Sequence, residues 1–307
     1  MTSEKDFTTY RACPLCSSTE LVTAYVTHDR HYGIKGDYTI VRCNGCGLYF
    51  LNPMPTESYL TSLYPTTYYS YQDFYDKEMG VLKKLYKNFL VKIGTKDPKF
   101  ATPGRILDVG CGSGQFLFKM KKQGWKVSGV EVSENAAKLG NELEQLDIYN
   151  GNIVDAKFAA DSFDYVRSNH SFEHITNPHE VLDEMYRVLK PGGKLMIGVP
   201  NIESFNARVF KRYWWYLGAP VHTFNYSVAT LSKMLQQHGF KVQNVTYNGD
   251  YSGVLGSFQI LLNRNNGKMS NEGMFINNPG FRVIAHQVAR LLNLFGTGDA
   301  IEITCTK

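Results

Sequence analysis

The sequence predicts an α/β protein: a mostly parallel, doubly wound sheet preceded by a small four-cysteine metal ribbon. Three observations predict it. From Arg105 onward, short apolar runs alternate with segments of helical period, the pattern of successive βα units. A glycine loop, Gly110-Cys111-Gly112-Ser113-Gly114, sits directly between the first such run and the helix after it. Ahead of both, Cys13-Pro14-Leu15-Cys16 and Cys43-Asn44-Gly45-Cys46 form two C-x2-C knuckles.

The bulk properties bound the rest. A chain of 307 residues holds one large α/β domain and a small accessory module. The net charge of +5 is mild and its Lys and Arg residues are scattered, so a nucleic-acid partner is the weaker reading. The first thirty residues carry charges and a metal-type cysteine pair instead of an apolar leader. No run is long and apolar enough to be a transmembrane segment, and a cytoplasmic protein is expected. In that setting, paired cysteines favour a metal over disulfides.

The elements follow in order. Residues 1–56 read as the ribbon and 57–103 as a tyrosine-rich helical lid or linker, with Tyr64, Tyr68, Tyr69, Tyr71 and Tyr75 ahead of a helical pattern from Val81 to Ile93. Residues 104–307 form the α/β domain, with insertions near 201–226 and 250–298. Its first strand is Arg105 to Val109, with a helix over Gln115 to Gln123. The second strand runs from Lys126 to Val132, and Ser133 caps a helix reaching Leu146. Ile148 to Val154 and Phe163 to Ser168 are strands three and four. Pro178 opens a helix that Pro191-Gly192-Gly193 ends. Lys194 to Val199, Phe240 to Tyr247 and Ala300 to Thr306 complete the sheet, with a helix from Ser227 to His238 closed by Gly239. Residues 281–295 are apolar except for a narrow polar stripe of Arg282, His286, Gln287, Arg290 and Asn293. They read as a helix packed on the core or in a subunit interface, with a membrane-surface contact as the alternative.

Two knuckles present four thiolates, Cys13, Cys16, Cys43 and Cys46, to one tetrahedral Zn²⁺. Four protein ligands leave no open position, so the zinc is expected to be structural and to fold the ribbon. Cys111 and Cys305 read as packing residues.

The glycine loop admits positive φ and lets a ligand approach the backbone, while the helix start behind it offers amides to a carboxylate or phosphate. Glu131 ends the second strand about 20 residues on, the position that suits ribose hydroxyls. A dinucleotide-binding loop shares this logic. Its third glycine, however, falls one residue later than Gly114, and Asp108 just before the loop suits a ligand with an α-amino group.

At these residues a resemblance appears. LDVGCGSGQF resembles motif I of the class I S-adenosylmethionine (SAM)-dependent methyltransferases, and GVEVS resembles motif II. DSFDYVRSNHSFEHITNP resembles the segment around strand four, and EMYRVLKPGGKLMIGVPN the segment into strand five. The match spans roughly 104–248 and 298–307. It implies a Rossmann-like, seven-stranded sheet with an antiparallel final hairpin, and SAM bound at the strand ends. By the resemblance, Gly110, Gly112 and Gly114 line the methionine half of SAM and Asp108 orients its amino group. Glu131 holds the ribose, Val132 lies against the adenine, Asn152 and Ile153 sit at its edge, and Asn169 closes the site after strand four. The family often has Asp where this chain has Asn152.

Methyl transfer is an in-line displacement, so the protein has to position an acceptor and remove its proton. His170, Glu173 and His174 follow strand four directly and are the first candidates; a histidine beside a carboxylate suits a general base. His222 ends an aromatic stretch, Tyr213-Trp214-Trp215-Tyr216, that reads either as an acceptor wall or as a packed cap. Ribbon, tyrosine-rich stretch and H-x-F segment together resemble methyltransferases of sugar and surface-polysaccharide biosynthesis. That implies O-methylation of a small-molecule or glycan acceptor. The alternatives are an RNA base methyltransferase that reads its substrate through the ribbon, and a non-catalytic SAM-binding regulator.

Overall fold

The computed structural model describes residues 6–63, 102–264 and 268–307. The tyrosines from Tyr64 to Tyr75 and the helical pattern over 81–93 lie outside the described residues.

The N-terminal part is β. Strands β1 (Phe7–Thr8), β2 (Leu21–His28), β3 (Asp37–Cys43), β4 (Tyr49–Leu51) and β5 (Met54–Pro55) lead to helix α1 (Glu57–Ser62), which Thr56 caps. The α/β part then runs β6 (Arg105–Val109), α2 (Gln115–Lys122), β7 (Lys126–Glu131), α3 (Glu134–Glu144), β8 (Ile148–Asn150) and β9 (Phe163–Asn169). It continues through α4 (Pro178–Val188), β10 (Leu189–Pro200), α5 (Phe205–Phe210), β11 (Phe224–Asn225), α6 (Val228–Gln237) and β12 (Lys241–Tyr247). The chain closes with α7 (Ser257–Asn263), α8 (Met274–Asn277), α9 (Pro279–Leu294) and β13 (Ala300–Thr306).

Seven strands form the central sheet in the order β12-β13-β10-β9-β6-β7-β8. Strands β10, β9, β6, β7 and β8 are parallel, and β13 runs antiparallel between β10 and β12. This is the Rossmann-like methyltransferase sheet with its reversed final hairpin. The inner strands are buried on both faces, which is why Ile106, Leu107, Val166, Leu195 and Ile197 stand in near-continuous apolar runs. Strand β8 ends at Asn150 and not at Val154, because residues beyond it turn away and Asn152 Oδ1 accepts from the Asp155 N–H at 2.9 Å.

The ribbon is not an isolated bead. Its β2, β3 and β4 form one sheet with β11, a strand from the 201–226 insertion, pairing Phe50 with Phe224 and Tyr49 with Asn225. The knuckle holding Pro14 and Leu15 also docks on the α/β part: His179 bonds the Pro14 carbonyl at 3.0 Å and Gln237 donates to that of Leu15 at 3.2 Å. Apolar residues of both parts share one continuous core.

Asp299, buried just before β13, fixes the insertion to the sheet edge. Its carboxylate accepts from Ser204 Oγ and Trp214 Nε1, each at 2.8 Å, and from the Asn206 amide. Helix α9 forms where the periodicity places it, but its polar residues are split between faces, with His286 buried and Gln287 and Arg290 exposed. Ala285, His286 and Ala289 face inward, while Ile284, Leu291 and Leu294 are exposed. Two alanines let the helix approach closely, and the His286 ring packs edge-on to Tyr251 at 4.8 Å. Among the described residues, no helix is long and apolar enough to cross a membrane.

Candidate active site

The carboxyl ends of β6, β7, β8 and β9 open into a cleft of about 890 Å³. Loops after parallel strands lie at this edge because the crossover helices return the chain to the other one. Gly110, Glu131, Val132, Asn152 and Ile153 line it, with His170 and His174 at one end.

Each feature has a local cause. Gly110 has φ +76°, and a Cβ there would collide with the Ser171 side chain, so only glycine fits both the turn and the neighbour. Gly114, also at positive φ, caps α2. The buried Glu131 carboxylate spans the loop: one oxygen accepts from Gly112 N–H at 2.8 Å, the other from Ser133 N–H at 2.9 Å. Burial raises its pKa, against the pull of those two amides. A carboxylate has about four acceptor lone pairs, so two amides leave capacity for a diol. Val132, 43% exposed, offers an apolar side chain to the cleft.

Asp108, Gly112, Gly114 and Asn169 are not among the cleft-lining residues. Asp108 is buried and paired with Arg167, whose Nη1 donates to Oδ2 at 3.0 Å; Arg167 in turn lies over the Phe116 ring. Burial raises the Asp108 pKa, opposed by the guanidinium. Asn169 ends β9 beside Gly198, where a Cβ would meet its side-chain oxygen. Sequence reasoning missed Ser171, and it missed Glu57, Leu60 and Thr61 of α1, which close the cleft from the ribbon side. The tight fit between Gly110 and Ser171 joins residues 61 positions apart and leaves no sequence signal.

A second chamber, of about 580 Å³, adjoins the first. His170 and His174 line both. Glu173, Trp215, Tyr216 and His222 complete it, together with His31 and Tyr32 of the ribbon. The loop that supplies His222 is tied to the turn after β9, because Thr223 N–H and Oγ1 both donate to the Glu173 carbonyl, at 2.8 and 3.0 Å. Gly218, at positive φ, leaves room for the His222 ring to fold back. The His174 and His222 rings meet edge to face at 4.7 Å. On the ribbon side, His31 bonds the Trp215 carbonyl and Ser270 Oγ, pinning the β2–β3 turn to the chamber.

Electrostatics divide these groups. Burial opposes charge on His170, but Glu173 outweighs it and raises the pKa. Burial also opposes the Glu173 carboxylate, yet the surrounding histidines bring it down to about 2. His174 is lowered by burial, and His222, buried beside it, falls to about 3. The chamber thus favours charge on the Glu173 carboxylate and disfavours it on the His174 and His222 imidazoles.

At the knuckles, Cys13 Sγ lies 3.5 Å from Cys46 Sγ, and Cys16 Sγ 3.5 Å from Cys43 Sγ. All four sulfurs fall within 4.8 Å of one another. Four Zn–S bonds of about 2.3 Å would put sulfurs roughly 3.8 Å apart, so the set fits a tetrahedral ion with little movement.

Comparison with known proteins agrees with the geometry. A family model described as a methyltransferase domain matches residues 75–245. The chain belongs to that family. This SAM-dependent methyltransferase is 31% identical over 178 residues to demethylmenaquinone methyltransferase of Listeria monocytogenes, covering 48% of this chain and 74% of that one. The corresponding Lysinibacillus sphaericus protein is 30% identical over 139 residues, covering 41% and 57%. The solved phosphoethanolamine N-methyltransferase 2 of Haemonchus contortus in complex with SAM superposes with TM-score 0.50 at 18% identity, covering 84% of this chain and 62% of that one. That last likeness is one of fold.

Proposed function

We propose that the enzyme moves the SAM methyl group to a hydroxyl of a sugar or glycan acceptor seated in the second chamber. One observation carries this reading: His170 and His174 line both cavities, so a donor in the first and an acceptor in the second meet at one wall. SAM supplies a methyl on a sulfonium, open to in-line attack. Gly110 and the loop through Gly112 and Gly114 take its amino-acid end, with Asp108 acting through Arg167 and the loop backbone. Glu131 accepts from the ribose hydroxyls, Val132, Asn152 and Ile153 flank the adenine, and Asn169 shapes the floor. His170, Glu173, His174 and His222 hold the acceptor oxygen and draw off its proton. Trp215, Tyr216 and Tyr32 offer flat apolar faces with polar edges, a surface suited to a pyranose ring.

Under the same reading, the four cysteines hold a structural Zn²⁺. Its ribbon (residues 1–56) and the methyltransferase domain (104–307) then act as one unit, because the ribbon supplies two chamber residues, and residues 57–103 are the lid or linker. A second reading draws on the names of the curated relatives: an apolar quinol would use the same aromatic wall. Incubation with labelled SAM and either a nucleotide-sugar series or a quinol series separates the two. Label in the sugars supports the first reading, and label confined to quinols overturns it.

A further inference from the structure

Glu173 is the anomaly of the second chamber. The residue is 1% exposed, and neither carboxylate oxygen has a hydrogen-bond partner. His170 Nδ1 stands 3.6 Å away, an ion-pair distance too long for a hydrogen bond. A buried carboxylate in this state calls for a cation.

Two imidazoles are arranged to help supply one. His174 Nδ1 lies 2.9 Å from the Val221 carbonyl, and His222 Nδ1 lies 2.9 Å from that of Tyr216. A carbonyl only accepts, so each Nδ1 carries the proton and each ring has its lone pair on Nε2. Backbone carbonyls orient metal-ligating histidines in this way. A donor atom from each of Glu173, His174 and His222 lies within 4.8 Å of the others.

We propose that Glu173, His174 and His222 bind a first-row divalent transition metal, in a site separate from the ribbon. Two nitrogens and one carboxylate suit Zn²⁺, Fe²⁺ or Co²⁺, whereas Mg²⁺ favours oxygen ligands. Bonds near 2.0–2.1 Å would bring the donors to about 3.4 Å of one another, a closure that side-chain rotation provides. Three protein ligands leave a position open to the chamber, where an acceptor hydroxyl would bind and lose its proton more readily. That consequence rests on the methyl-transfer reading; the metal binding does not.

Titration of the metal-stripped full-length protein with Co²⁺ tests it. The ribbon gives thiolate-to-metal charge-transfer bands; the proposed site gives a second bound Co²⁺ without further thiolate absorbance. In Glu173→Gln and in His222→Asn, the second ion should be lost, with affinity down by more than about 100-fold, while the thiolate bands persist and report a folded chain. A single, thiolate-bound Co²⁺ in the parent protein overturns the proposal, as does a second Co²⁺ that survives in both variants. SAM affinity measured on the same samples keeps the two readings apart. Loss of the second ion with SAM binding intact sinks only the metal site, and metal binding without SAM binding sinks only the methyl-transfer reading.

Discussion

The two chambers are built on opposite plans. The cofactor cleft takes most of its wall from consecutive strand ends, β6 to β9, and its polar groups are satisfied by loop amides a few residues or one βα unit away, as Glu131 is by Gly112 and Ser133. The second chamber joins residues 31–32, 170–174 and 215–222, and a sheet shared between ribbon and insertion holds it together. The first is a property of the fold. The second depends on parts docked onto it, so it should fail first when the docking is disturbed.

The largest expected effect follows. On the proposal that the four cysteines hold Zn²⁺, its removal forfeits binding energy on the order of 10 kcal/mol that otherwise supports β2–β4. With them go the β11 pairing and the placement of His31 and Tyr32. Acceptor turnover should vanish on chelation, with a lower melting temperature, while SAM affinity falls far less. Turnover that survived chelation would break the contrast between the chambers.

Next in size is Glu131→Ala, the matching cut on the cofactor side. It removes the carboxylate proposed to accept from the ribose and leaves the Gly112 and Ser133 amides without their partner. SAM affinity should drop about 100-fold, roughly 3 kcal/mol, measured by calorimetry. An unchanged affinity would displace the cofactor from this cleft.

How much of this was legible follows the same division. The glycine loop, Glu131 and the C-x2-C pairs carry their chemistry in local spacing, and strands β6, β7, β9 and β13 stand within a residue or so of where the sequence puts them. His170, Glu173, His174 and His222 could be named from sequence, but not their meeting in one chamber, since Thr223 bonding the Glu173 carbonyl crosses fifty positions. The share of His31 and Tyr32 was not legible at all. It depends on β4 pairing with a two-residue strand, β11, that no periodicity announces. Helix α9 shows a third limit: periodicity located the helix, but small residues and a Tyr251 contact decided which face turned inward.

A smaller effect sharpens the acceptor side. Trp215 lines the second chamber and not the first, and meets the His31 ring edge-on at 4.7 Å. Trp215→Ala should raise the acceptor KM about tenfold, close to 1.4 kcal/mol of lost contact, and leave the SAM Kd where it was. Equal changes in both constants would mean that the chambers are not separable.

The smallest expected effect concerns Cys111, the one thiol inside the glycine loop. Its sulfur fills the space that a side chain at position 129 would need, for a Cβ on Gly129 would lie 2.6 Å from Cys111 Sγ. Burial, reinforced by the Glu131 and Asp108 carboxylates, pushes this thiol well above its ordinary pKa. It therefore stays protonated and is a poor nucleophile. Cys111→Ala should cost about 1 kcal/mol of stability through the small void it leaves against Gly129, and turnover should be unchanged. A loss of turnover at full SAM occupancy would give the loop a chemical part in the reaction. The division between a cleft that binds and a chamber that reacts would then have to be redrawn.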